Sequence, residues 1–92
     1  MAHIKLKLFA NIRELVGQSK LEYEAKNLIE LLHKFIDEYP DANSIVFEDS
    51  GNDLQGYINI FINGTNIMHL DGINSSLSDG DEVAILPPVS GG

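Results

Sequence analysis

The sequence predicts an α+β domain, a mixed sheet of four to five strands with one main helix packed on one face. Three observations carry this expectation. One strongly amphipathic segment lies between residues 28 and 39, and several short segments alternate apolar with polar residues, the period of a half-buried strand. The length, 92 residues, allows a single domain, which buries about 60–65% of its unfolded surface around a simple core.

Along the chain, Ile4, Leu6 and Leu8 alternate with Lys5, Lys7 and Phe9, giving a first strand over residues 3–9. Ala10–Val16 reads as a short helical turn that Gly17 ends. Leu21, Tyr23 and Ala25 alternate with Lys20, Glu22, Glu24 and Lys26, a second strand close enough to pair antiparallel with the first. The main helix is expected from Leu28 to Tyr39, because Leu28, Leu31, Leu32, Phe35, Ile36 and Tyr39 form one stripe. Asn27 is its N-cap, Glu30 completes a capping box, and Pro40 stops it.

Residues 41–56 are harder to read. Asp49–Asp53 is a loop, whereas Ile45, Val46 and Phe47 need burial as a helical turn or a short strand. Ile58, Ile60 and Ile62 alternate with Tyr57, Asn59 and Phe61 as a third strand. Asn63-Gly64 is a type I′ hairpin signal leading to a short strand near Thr65–Met68. Asp71-Gly72 and Asp79-Gly80-Asp81 mark turns, Val83–Leu86 is the last strand, and Pro87-Pro88 ends it. The order β-β-α-β-β-β with one covering helix is that of a β-grasp, the ubiquitin-like roll. Residues 1–88 form the expected domain, and residues 89–92 a C-terminal tail.

Composition narrows the function. Apolar residues make up 43% of the chain, and cysteine is absent, which excludes disulfides, thiolate metal sites and cysteine nucleophiles and fits a reducing compartment. The N-terminus shows no signal peptide or spanning segment, so a cytoplasmic protein is expected, with no membrane partner. Two sequons, at Asn63 and Asn74, are chance matches in that setting. Fourteen acidic and six basic residues give a net charge of −8. Such a surface repels nucleic acid, and protein partners are expected to offer a basic or apolar face.

Both ends of the chain resemble a known family. Lys7-Leu8-Phe9-Ala10-Asn11-Ile12-Arg13-Glu14-Leu15 resembles the opening of the small subunit of molybdopterin synthase. Asp79 to Pro88, continuing through Val89-Ser90-Gly91-Gly92, resembles the ending shared by that subunit and its relatives. The stretch Gly56–Gly64 is similar to the longer members, which include sulfur carriers of other pathways and the small archaeal modifier proteins. The resemblance implies that a ubiquitin-activating-type enzyme consumes ATP to adenylate the carboxylate of Gly92. The acyl-adenylate then becomes a thiocarboxylate or passes to the amine of a target lysine. The implied partners are the adenylating enzyme and either the large subunit of molybdopterin synthase or protein targets, and the chain binds no cofactor itself.

The residues suit that chemistry. Gly91 and Gly92 carry no side chains and fit a narrow active-site channel. Pro87 and Pro88 stiffen the base of the tail, and Val89 and Ser90 complete the segment to be threaded. If Ile4, Leu6, Leu8, Ile58, Ile60, Ile62, Val83 and Ile85 face the helix, alternation sends Phe9, Tyr57, Phe61 and Leu86 to the open face as a partner-binding patch. The alternative is that residues 41–56 fold over that face and build a second small core. His3, His33 and His69 lack metal-ligand spacing, and His33 is expected on the solvent flank of the helix. Asp37, Glu38 and Asp41 read as a solvated corner, and Arg13 as a partner contact or, more simply, a surface salt bridge. No catalytic constellation is found, so a carrier or non-catalytic subunit is expected rather than an enzyme.

Overall fold

A computed structural model describes residues 2–47, 54 and 58–86. β1 (His3–Leu8) leads through α1 (Ala10–Val16) to β2 (Lys20–Glu24), then α2 (Leu28–Glu38). A 3₁₀ turn at Pro40–Ala42 runs into α3 (Asn43–Val46). The remaining strands are β3 (Asn59–Ile62), β4 (Thr65–Asn66) and β5 (Glu82–Leu86). The sheet order is β2-β1-β5-β3-β4. β1 and β5 are parallel neighbours, and the other pairings are antiparallel. This is the expected roll, with the first and last strands side by side.

Alternation decides which face is covered. Ile4, Leu6 and Leu8 of β1, Ile60 and Ile62 of β3, and Val83 and Ile85 of β5 are buried in one core with Leu28, Leu31, Leu32 and Phe35 of α2. Asn27 caps α2 by accepting from the Glu30 amide at 2.9 Å. The Glu30 carboxylate accepts from the Lys26 amide, also at 2.9 Å, one residue before the amide a capping box engages. β1 begins at His3, directly opposite Glu24, so β2 ends there rather than at the expected Lys26. Ala25 is still buried, and its amide donates to the Ala2 carbonyl.

Residues 43–46 form the expected helical turn, and Ala42, Val46 and Phe47 join the main core beside Ile12 of α1 rather than closing over the opposite face. Two other expectations need correction. Pro40 ends α2 at Glu38, with Tyr39 as its C-cap. The strand after the Asn63-Gly64 turn lasts only two residues, because the Asn66 side-chain oxygen Oδ1 accepts from the Met68 amide and caps a 3₁₀ turn at Ile67–His69. The turn itself is as expected, with φ of 50° at Asn63 and 85° at Gly64, the pairing a type I′ turn requires.

His33 is exposed, its ring 5.8 Å from that of Phe47. Glu38 is more than a solvated corner, since it accepts from the Tyr23 hydroxyl at 2.6 Å and ties β2 to the end of α2. Asp79 accepts from the His3 amide at 2.9 Å, and Asp81 from the Ser78 amide at 2.8 Å, so both carboxylates hold a turn. Among the described residues no group of three or more His, Asp and Glu side chains is placed to hold a metal ion, and no helix is long and apolar enough to cross a membrane.

Candidate functional site

The face of the sheet turned away from α2 carries His3, Lys5 and Lys7 of β1, Lys20, Glu22 and Glu24 of β2, Glu82, Ala84 and Leu86 of β5, and Asn59 and Phe61 of β3. Register places the apolar members together. Phe61 pairs with Ala84 across β3 and β5. Leu8 pairs with Ile85, so Phe9, the next residue, comes alongside Leu86. An open groove of about 550 Å³ results, floored by Phe9, Phe61, Ala84 and Leu86. Phe9 is 39% exposed, a large apolar ring left in water where the fold itself does not need it.

Polar groups frame the groove. Lys7 and Glu82 form an ion pair of 2.7 Å along one side, and the Lys7 ammonium, bonded to the Glu82 carboxylate, holds it below the usual carboxylate range. The Asn63-Gly64 turn closes one end. The Asn63 side chain donates to Asp81 at 2.9 Å and accepts from the Glu82 amide at 3.0 Å, so the turn is pinned to the start of β5. At the opposite end stands Leu86, a groove wall and the last described residue of β5.

Of the residues expected at the site, Phe9, Phe61 and Leu86 are brought together. Tyr57, Pro87, Pro88, Val89, Ser90, Gly91 and Gly92 lie outside the described residues. Ala84, Lys7, Glu82 and the hairpin turn were not expected in the groove. Alternation alone puts Lys7 on the side of Phe9 and Ala84 on the side of Leu86, but strand register was needed to set them next to Phe61. Arg13 does not form the expected salt bridge: among the described residues the ion pairs are His3–Glu22 and Lys7–Glu82.

A five-stranded roll around one main helix, with parallel first and last strands and an apolar groove at the outlet of the last, is a ubiquitin-like β-grasp domain. The chain belongs to the ThiS family, whose model matches residues 6–92, a family of ubiquitin-like sulfur carriers and protein modifiers. It is 33% identical to small archaeal modifier protein 3 of Haloferax volcanii, over 97% of this chain and 98% of that protein. It is 36% identical to the molybdopterin synthase sulfur carrier subunit of Escherichia coli, over 97% of this chain and 99% of the subunit. The solution structure of small archaeal modifier protein 1 from Methanosarcina acetivorans superimposes with a TM-score of 0.91 at 45% identity, covering 100% of this chain and 98% of that one.

Proposed function

We propose that this protein is a non-catalytic carrier whose Gly92 carboxylate is adenylated by a ubiquitin-activating-type enzyme and then loaded with sulfur as a thiocarboxylate, for molybdopterin synthesis. The carboxylate attacks the α-phosphorus of ATP and pyrophosphate leaves. A sulfur nucleophile then displaces AMP from the acyl carbon. ATP is consumed by the enzyme and is not held by the carrier. The observation that carries the reading is the position of Leu86, which walls the apolar groove and begins the path to residues 87–92. A partner seated in the groove thus holds the base of the segment it must thread. Six residues reach at most about 20 Å, so docking surface and reaction centre sit on one enzyme face.

In the molybdopterin pathway the same groove would next receive the large synthase subunit, which supplies the catalytic residues. A second reading, conjugation through Gly92 to lysines of target proteins, draws support from the 45% identity to a small archaeal modifier. Both routes begin with the same adenylate.

Mass spectra of the protein from its native cells separate the two. Cleavage at glutamate after Glu82 leaves a Val83–Gly92 branch on any modified lysine, whereas trypsin has no site beyond Lys34. Free protein with one oxygen replaced by sulfur and no branched peptides marks a dedicated sulfur carrier. Branched peptides mark a modifier. Enzyme and ATP that leave the full-length chain unadenylated, or that act equally on a chain lacking Gly91 and Gly92, would refute both readings.

A further inference from the structure

The fold gathers positive charge beside the groove in a chain that has little to spare. All six Lys and Arg residues precede residue 35, against fourteen carboxylates overall. Three of the six, Lys7, Arg13 and Lys20, line a second hollow of about 220 Å³ together with Ser19 and Phe9. Lys7 and Lys20 sit directly opposite each other across β1 and β2, a like-charge pairing that destabilises a sheet. Lys7 is neutralised by Glu82. Arg13 and Lys20 form no ion pair among the described residues, and Glu22, on the same face as Lys20, is engaged by His3. Arg13 and Lys20 thus stand at this hollow without a direct ion pair among the described residues, Lys20 attracting Glu22 and Glu82 only through space, in a protein of net charge −8. Departures of this kind from local consistency are expected at sites under functional demand.

Phe9 and Lys7 line both the apolar groove and the cationic hollow. Resting on the docking role assigned to the groove above, we infer that the activating enzyme recognises this edge with an acidic segment, an apolar side chain seated in the groove and carboxylates set against Arg13 and Lys20. The overall negative charge suggests a basic partner surface; at the contact itself the complementarity is reversed. Rim charges of this kind steer encounter and select the partner.

The test is adenylation of the full-length chain by its activating enzyme, with initial rates measured against carrier concentration at low and high salt. Charge reversal by Arg13→Glu with Lys20→Glu is expected to raise the KM for the carrier about ten-fold at low salt with kcat unchanged. The difference shrinks in high salt, where exposed charges are screened. Lys26→Glu, at an exposed lysine beyond the far end of β2, makes the same kind of charge change and is expected to alter KM by less than about two-fold. Lys20→Glu alone turns the Lys7–Lys20 repulsion into attraction but loses the attraction of Lys20 to Glu22 and Glu82, so Tm is expected to move by less than about 2 °C while docking weakens, a combination that unfolding cannot produce. A double variant no weaker than Lys26→Glu overturns the inference and leaves the carrier role standing. So does a loss that falls on the KM for ATP, which would make the hollow a site for a small anion. If the wild-type chain is not adenylated at all, the carrier reading fails first and takes this inference with it.

Discussion

Ala10 opens α1 with φ of 53°, in the left-handed region that a Cβ disfavours, directly after the exposed Phe9. Replacing it with glycine has a worked expectation. For an L-residue that conformation costs roughly 1–2 kcal/mol through the clash of Cβ with the neighbouring carbonyl, and Ala10→Gly removes it. Glycine returns about 0.4–1 kcal/mol by widening the unfolded ensemble. The half-buried methyl gives up about 0.3 kcal/mol more. The net is about 0.5 kcal/mol in favour of glycine. For a domain of this length that corresponds to a rise in Tm of about 2–4 °C. An ordinary first-turn helical alanine would respond with the opposite sign, since glycine inside a helix costs about 0.5–1 kcal/mol relative to alanine. Calorimetry and urea unfolding of the two proteins under matched conditions decide the sign. A fall in Tm of several degrees would refute the strain argument. The strained residue also fixes the backbone behind Phe9, so the stabilised variant is expected to bind its activating enzyme about three-fold more weakly through lost preorganisation.

Other perturbations test separate parts of the molecule. Phe61→Asp places a charge on the floor of the groove; in a protein shown to be folded by its amide spectrum, adenylation is expected to fall at least ten-fold, and unchanged adenylation would sink the docking role of the patch. Asn27→Ala deletes the cap of α2 and is expected to lower stability by about 1 kcal/mol in urea unfolding, with no change in activation kinetics. The Tyr23 hydroxyl is held protonated, its pKa raised first by burial and then by its bond to the Glu38 carboxylate. A raised folded pKa means that its stabilisation is complete below the unfolded value of about 10 and is lost as pH climbs above it. Stability should therefore decline from about pH 10 upward in the wild type, with a smaller decline in Tyr23→Phe, measured by urea midpoints across that range.

Much of the architecture was legible because its signals are local. The stripe from Leu28 to Phe35 has the helical period and the alternation of Ile4, Leu6 and Leu8 has the strand period, and each reports on residues within one or two turns of the chain. Asn63-Gly64 and Gly17 are read through backbone sterics, which need no tertiary partner. The same local rule assigned Phe9, Phe61 and Leu86 to one face before any register was known. The motifs at both ends of the chain pointed to the family.

Tertiary structure decided what depends on register and on competition for hydrogen bonds. Residues 40–47 carry no clean period, and only the space left beside α1 and α2 sends Val46 and Phe47 into the main core. β2 stops at Glu24 because its partner β1 begins at His3, directly opposite, and β4 stops at Asn66 because the Asn66 side chain caps the 3₁₀ turn that follows. The groove exists because the parallel alignment of β1 with β5 sets Phe9 beside Leu86, while the antiparallel alignment of β3 sets Phe61 beside Ala84. The confrontation of Lys7 with Lys20 has the same origin. Twelve residues lie between the two lysines in the chain, and a one-residue slip in pairing would have parted them, because side chains on a strand alternate between faces. Periodicity says which face a residue occupies; register alone says who its neighbours are.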